Sequence, residues 1–469
     1  MQVVYERCCG LDVHKKSIAA CLIVPDSKGQ PTKQVRHFGT LTAQLLDLAD
    51  WLIAHQVTHV AMESTGVYWK PVYNVLEGTC TVLLVNAQHV KALPGRKTDL
   101  KDCEWLADLL RHGLVRGSFV PEAAQRELRD LTRYRVALLQ ERTAETNRLH
   151  KTLEGANIKL SSVVTDIRGV SARAMLAALV EGESDPAVLA QLAKKRLRAK
   201  LPVLEQALHG RFSAHHRFLV SLHLARLDEL DAAIDQLSHE ISARLGGRGE
   251  PATLPDDPGA SASADARRSA VPTTDAPAVA EIGEAPPGAA TGGGAPGAGG
   301  RSGAAYADTI TRLQTIPGVG PRTAEVLVAE IGIDMTRFPS ARHLASWAGM
   351  CPGNHESAGK RLSGTTRHGS PWLRSALVEA AHAAGRTKDT YLAAQYRRVL
   401  TRRGKKRAAV AVGHSILVIA YHLLSRQTTY LDLGANYFDE RERDALQRRL
   451  IRRLESLDLE VTVRPKSAA

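Results

Sequence analysis

The sequence predicts a mixed α/β domain over residues 1–118 and an all-α domain with a helix-hairpin-helix over 306–435. A helical, coiled-coil-like region over 119–245 and a linker over 246–305 lie between them. Three observations predict this. Short apolar runs alternate with helical ones through residues 1–118, the pattern of a sheet with helices packed on its faces. Leu227, Leu230, Ile234, Leu237 and Ile241 step by three and four, as a helical seam does. The stretch 246–305 is rich in Gly, Ala, Pro and Ser and nearly devoid of large apolar residues. Burial there cannot offset the entropy of ordering, so disorder is expected.

Taken in order, Arg7–Asp12, Ser17–Val24 and Lys33–Phe38 read as three strands of a meander. Leu41–Ala54 reads as a helix, Thr58–Met62 as a buried strand, Tyr68–Leu76 as a helix, Thr81–Val85 as a strand and Leu100–Arg111 as a helix, giving the order βββαβαβα. From about Pro121 to Leu245 the chain is helical and charged. Its seam of about two heptads suits a hairpin within one chain and a coil between chains equally well. Thr309 to Asp432 is again globular and helical. Within 436–469, Arg441–Arg453 makes a charged helix before a loose tail.

A net charge of +13 favours a polyanionic partner, because each phosphate contact releases condensed counterions. Aromatics, at 4%, are too scarce for base stacking to be the main mode of recognition. None of the six cysteines forms a CxxC pair, so neither a zinc ribbon nor a disulfide framework is suggested. Reduced thiols and a cytoplasmic location are expected. The N-terminus lacks the layout of a signal peptide, and the apolar stretch Ser415–Leu424 is too short to span a bilayer, so no membrane partner is expected.

Two carboxylates fall where strands end and two more at the entry of a helix. Asp12 lies in GLDVHKKS, Glu63 in VAMESTG, and Asp99 and Asp102 three apart in KTDLKDCEWLADLL, on one face of a helix or its entry. If the first and fourth strands are neighbours, all four converge at one sheet edge, the requirement of a ribonuclease-H-like site. Oxygen donors of this kind suit Mg²⁺ or Mn²⁺. Any one of these acids taken alone reads as a solvated surface carboxylate, and it is the combination that points to a site. Glu104 and Asp108 are runner-up ligands, and His14 is a local hydrogen-bonding residue.

LQTIPGVGPRTAEVLVAEIG, from Leu313 to Gly332, reads as helix, tight turn and helix. Gly318 and Gly320 let the backbone turn, and Arg322 adds a cation for a phosphate at the second helix's N-terminus. A plain helical turn in a core is the alternative. The polar loop from Met350 to Ser370 carries Ser357, Lys360, Arg361, Ser363 and Arg367, hydroxyls among cations that suit phosphoryl chemistry. By residue type Ser357 is no better a nucleophile than Ser363, and the loop can equally hold phosphate without covalent chemistry. Ser370-Pro371 reads as a helix cap followed by proline at the first helical position. Arg397, Arg398, Arg402, Arg403, Lys405, Lys406 and Arg407 form the densest basic run, placed for a nucleic-acid backbone.

Together, GLDVHKKS, MESTGVYW, KTDLKDCEWLADLL, IPGVGPRTAEVLVAEIG and ASWAGMCPGNHESAGKRLSG resemble the insertion-sequence one-ten family of DEDD transposases, bridge-RNA-guided recombinases of mobile elements. The resemblance covers roughly residues 5–245 and 309–435. It implies a RuvC-like N-terminal domain with Asp12, Glu63, Asp99 and Asp102 as a catalytic, metal-binding tetrad, and Ser357 of HESAGK as the nucleophile. It implies donor and target DNA and a structured noncoding RNA as partners. It also implies a homo-oligomer (dimer or tetramer) in which one protomer's carboxylate domain faces another's serine module, in a bacterial, nucleoid-associated setting. Cys103 stands where the family usually has alanine, and the linker over 246–305 is longer than usual. Two rivals are a junction-resolving nuclease using metal-activated water and a non-catalytic nucleic-acid-binding protein. The linker reading predicts that limited proteolysis nicks first between Gly246 and Ala305, leaving an N-terminal fragment of roughly 27 kDa. A stretch that resists protease would overturn it.

Overall fold

The computed structural model describes residues 2–64, 66–86, 102–246, 302–353, 355–357, 360–363, 365–366, 369–441, 443–457 and 460–462, with only the backbone at 302–305, 355–357, 361–363 and 444–446. Nearly all of the proposed linker, and Asp99 and Arg367, lie outside the described residues. The chain divides into two compact units, Met1–Glu122 and Ala123–Ala469.

The first unit is built on a five-stranded mixed sheet in the order β3-β2-β1-β4-β5, from β1 (Cys8–Val13), β2 (Ser17–Pro25), β3 (Pro31–Gly39), β4 (His59–Glu63) and β5 (Thr81–Val85). The first three strands form an antiparallel meander, while β4 lies parallel to both β1 and β5. Buried Val, Ile and Leu make β2 the apolar centre of the meander. Outer strand β3 exposes Lys33 and Arg36, charges that discourage edge-to-edge pairing. Helices α1 (Thr42–Ala54) and α2 (Trp69–Leu76) cover one face through Leu45, Leu48, Leu52, Val72 and Leu76. Helix α3 (Asp102–Arg111) covers the other through Cys103, Leu106, Ala107 and Leu110.

The second unit begins with α4 (Ala123–Gly155), which packs along α9 (Ala214–Arg244). Leu128 shares a core with Ile241, Leu138 with Leu230 and Ile234, and Leu149 with Val220 and Leu224, so the two helices run antiparallel. The seam seen in the sequence is therefore met within the chain. Arg142 pairs with Asp231 across it at 2.7 Å.

Between the long helices sits a compact lobe that the sequence reading did not separate from them. It holds α5 (Leu160–Val163), α6 (Val170–Glu181), α7 (Pro186–Gln191), a 3-10 turn (Lys195–Lys200) and α8 (Leu201–Leu208), around Leu160, Met175, Leu176, Leu179, Leu189 and Leu204. Its short apolar helices lie in a charged stretch, and that charge masked their periodicity.

The C-terminal part contains α10 (Ser302–Gln314), α11 (Pro321–Ile331), α12 (Ala341–Trp347), α13 (Pro371–Ala384), α14 (Tyr391–Arg403), α15 (Lys405–Arg426), α16 (Tyr437–Arg441) and α17 (Arg443–Glu455). Helix α10 starts inside the stretch read as linker. The part is not all-α as expected: β6 (His355–Ser357) and β7 (Lys360–Ser363) form an antiparallel hairpin inside the loop before α13. Its strands are too short and too polar to show an apolar alternation. The apolar run read as Ser415–Leu424 belongs to the longer α15, whose length and hydropathy would suffice for a membrane span. Half of that window is buried in the fold, and α15 packs against α12, α13 and α14.

A buried carboxylate ties these helices together. Glu330, 1% exposed on α11, accepts from Arg133 Nε and Nη2 on α4 at 2.7 and 2.9 Å and from Ser370 Oγ at 3.0 Å. Ser370 Oγ in turn accepts from the Leu373 amide, capping α13, with Pro371 in the first turn as the sequence predicted. Glu330→Ala leaves Arg133 without its buried partner and should destabilise the second unit by about 3 kcal/mol. Glu330→Gln keeps an acceptor for Ser370 and should cost less. Chemical denaturation of the full chain measures both, and equal losses would contradict the account.

Candidate functional site

Register places Leu11 beside Met62, so Asp12 and Glu63 follow side by side at the ends of neighbouring parallel strands. Side chains alternate between sheet faces. Leu11 and Met62 join the α1–α2 core, while Cys8 and Ala61 join the α3 core. Asp12 and Glu63 thus fall on the α3 face.

Gly10 sets how closely α3 approaches. A Cβ at Gly10 would lie 2.3 Å from the Cys103 carbonyl oxygen and 2.5 Å from the Ala107 nitrogen, so only glycine fits. The Cys8 Sγ lies 3.8 Å from the Ala107 oxygen. Nearer the helix start, burial pushes the Cys103 thiol up, and the charge of Asp12 adds to the shift. Helix α3 therefore runs antiparallel to β1, and its first residue, Asp102, reaches the sheet end that holds Asp12 and Glu63. An acid at that position also complements the helix dipole.

Three of the four predicted acids thus share one sheet end and one face, and Asp99 lies outside the described residues. Among the described residues, no group of three or more His, Cys, Asp or Glu side chains is drawn close enough to hold a metal ion. Asp12 Oδ2 is 3.1 Å from His14 Nε2, the local bond expected of that histidine. The runner-up Asp108 turns instead to β3, where Lys33 holds it at 2.5 Å. Glu104 stands in the first turn of α3. Gly10 is the positioning residue that the sequence reading passed over. A glycine inside an apolar strand was its available signal.

In the second unit, Ser357 ends β6 and pairs in register with Lys360 at the start of β7. Arg361 follows on β7 opposite Glu356. Lys360 is exposed. Below the hairpin, the Gly353 amide donates to the Thr365 oxygen at 2.9 Å, and Arg374 of α13 donates to Thr366 Oγ1 at 2.8 Å, fixing the loop on α13.

The glycine turn between α10 and α11 serves the core more than the surface. Gly318 has φ +86°, and a Cβ there would lie 2.3 Å from the Ala380 oxygen of α13. Gly320 caps α11 and is exposed. Arg322 is half-buried: burial, then the guanidiniums of Arg135 and Arg142, pull its pKa below the ordinary value. Arg135 and Arg142, whose charges act on it, lie on α4. Arg402, Arg403, Lys405, Lys406 and Arg407 are all exposed around the junction of α14 and α15 at Gly404.

Gly10→Ala should therefore push α3 off the sheet and cost the first unit about 2 kcal/mol or more. Gly117→Ala, whose Cβ would meet Leu83 at an ordinary 3.5 Å, should leave it unchanged. Thermal unfolding compares the two, and an unchanged melting point for Gly10→Ala would refute the close contact.

A transposase family model of the DEDD, IS110 type matches residues 9–158, and one described as the transposase IS116/IS110/IS902 family matches residues 310–397. Together they span about half of the chain. Relatives include the transposase for insertion sequence element IS1111A of Coxiella burnetii, 36% identical over 123 residues (25% of this chain, 34% of that protein). A probable family 20 transposase of Pseudomonas aeruginosa is 34% identical over 125 residues, 26% of this chain and 37% of that protein. The pilin gene-inverting protein of Moraxella bovis is 33% identical over 123 residues, 25% of this chain and 37% of that protein. The chain matches little more than a third of the length of each of these relatives. With transposase models matching a segment in each of its two units, the chain belongs to the IS110 family of transposases.

Proposed function

We propose that this chain cuts and rejoins DNA as the transposase or recombinase of an insertion sequence, on an RNase-H-like, RuvC-like N-terminal domain. The observation that carries the reading is the adjacency of Asp12 and Glu63 at the ends of parallel strands, on the face covered by a helix that opens with Asp102. Relatives named as transposases and as a pilin gene-inverting protein support DNA rearrangement as the activity.

Asp12, Glu63 and Asp102, with Asp99, are the residues that would hold a divalent cation, Mg²⁺ or Mn²⁺. The residue types fit: Asp12, Glu63 and Asp102 are carboxylates placed at one sheet end, and burial pushes the nearby Cys103 thiol up. Such an ion, when bound, stabilises charge on the attacking and leaving oxygens of a phosphodiester. Ser357 is the proposed nucleophile. Its Oγ loses a proton and bonds to phosphorus, one deoxyribose oxygen leaves and takes a proton, and the phosphoserine link conserves the diester's energy for rejoining. Lys360, Arg361 and Arg367 steady the phosphate. Gly318, Gly320 and the cations from Arg402 to Arg407 hold DNA backbone. Arg322, in the first turn of α11, adds a cation to that backbone contact. Guidance by a noncoding RNA and action as a homo-oligomer belong to the same reading and rest on the family.

Asp12→Asn and Asp102→Asn should each abolish strand cleavage while leaving DNA affinity within about twofold, since cations elsewhere supply it. Ser357→Ala should keep binding but lose both cleavage and the covalent adduct, whereas Ser363→Ala should keep the adduct. Denaturing gels with end-labelled DNA and mass spectrometry of the linked peptide decide it. An adduct that persists in Ser357→Ala would move the nucleophile elsewhere, and cleavage with no adduct in the wild type would favour metal-activated water.

A further inference from the structure

We infer that a basic cleft in the helical lobe between α4 and α9 is a second docking site for the phosphodiester backbone of duplex DNA. The inference rests on the transposase reading for the identity of the polyanion, and on the lobe itself for the site.

The cleft has a volume of about 380 Å³. One wall is the turn and first residues of α6, with Gly169, Val170 and Ser171, and the other is the segment bearing Lys194, Lys195, Arg196 and Lys200. All four cations are exposed, and among the described residues none pairs with a carboxylate. Asp166 is the acid in the lining, and it is already engaged: its Oδ1 accepts from the Arg168 amide at 2.9 Å and lies 3.7 Å from the Arg168 guanidinium.

Three features make this a formed site rather than a run of solvated lysines. The two walls are tied together, because the Lys194 amide donates to Ser171 Oγ at 2.9 Å and Lys200 Nζ donates to the Val163 oxygen at 3.2 Å. The cations are held by a strained backbone: Lys195 has φ +51°, a left-handed conformation that costs a non-glycine residue about 1 kcal/mol. Helix α6 opens at Gly169 with no side-chain cap, so its first amides face an environment already rich in positive charge. Four like charges around one satisfied acid repel one another, a cost that the bonds between the walls have to offset. A polyanion relieves the repulsion.

The lining contains no aromatic side chain, so bases have nothing to stack on. That favours the regular phosphate ladder of a duplex over a single strand. The residues already proposed to hold DNA backbone lie in the C-terminal part, so a cleft on the lobe would lengthen the footprint on the duplex.

The test uses the full-length chain and a short fluorescent DNA duplex of arbitrary sequence, with anisotropy read across a salt series. The double variant Lys194→Gln/Arg196→Gln leaves the strained Lys195 and the bonded Lys200 in place. Losing two phosphate contacts should weaken binding by roughly tenfold and reduce the slope of log K against log salt by about 1.8. Amine acetylation of the wild-type chain gives a readout independent of any variant: duplex DNA should protect Lys194, Lys195 and Lys200, as mass spectrometry would show. An unchanged slope, or no protection, overturns the cleft while leaving the transposase reading standing. A loss confined to duplex RNA overturns it as well. A wild-type chain with no affinity for duplex DNA would instead defeat the transposase reading itself.

Discussion

Glu330 is a carboxylate taken almost wholly out of water, and much of the second unit is arranged to make that tolerable. Desolvating such a group costs several kcal/mol, which geometry has to recover. The recovery comes from Arg133, gripping both oxygens, and from the Ser370 hydroxyl. Arg129 adds two bonds to the last carbonyls of α11, those of Ala329 and Glu330, where the negative end of the helix dipole welcomes a cation. Burial pulls Arg129 down to about 10 against the field of Glu330, so it stays charged at neutral pH. The consequence is structural: α4 and α11 are fastened to the cap of α13, the helix that follows the loop bearing Ser357.

The first unit obeys a different constraint, one of volume rather than charge. Gly10 leaves no room for a Cβ, and α3 settles into the space so gained. The backbone contact sets the height of the helix above the sheet and the reach of Asp102 toward Asp12 and Glu63. An arrangement of acids built this way is fixed by packing, which is stiffer than a hydrogen-bonded loop. The buried thiols of Cys8, Cys21 and Cys103 fill the same layer as small apolar groups, raised by desolvation to pKa values that keep them neutral.

How much of this could be read beforehand follows from what leaves a local signature. Whereas the neighbouring of β1 and β4 entered only as a condition and is set by long-range pairing, the strands of the sheet were legible to within a residue or two because apolar alternation is a local property. The acids at strand ends stood out for the same reason. Glu330 gave no signal, because a glutamate on a helix is ordinary until the arginine 197 positions earlier is folded against it. Arg322 hid its surroundings for the same reason: next to a glycine turn it suggests a phosphate ligand, and nothing local says that the fold brings Arg135 and Arg142 near it. The β6–β7 hairpin escaped because its strands are short and polar, and the lobe because its apolar helices are interleaved with lysines and arginines.

The placement of the remaining cations is the last piece of physics that the fold alone does not account for. Lys405, Lys406 and Arg407 open α15, where the helix dipole disfavours positive charge, and Arg402 and Arg403 close α14 beside them. The closing pair complements its own helix, but the opening triad opposes its helix, and all five are exposed to one another's repulsion. Lys194 to Lys200 repeat the pattern on the lobe, again beside an uncapped helix start. Elsewhere in the same chain arginines are matched to acids with care, as Arg133, Arg135 and Arg142 are. A fold that pairs its buried charges and leaves these two exposed clusters mutually repelling keeps free energy in reserve for a partner of opposite sign. Counterion release on meeting a phosphate backbone is the process that would draw on it.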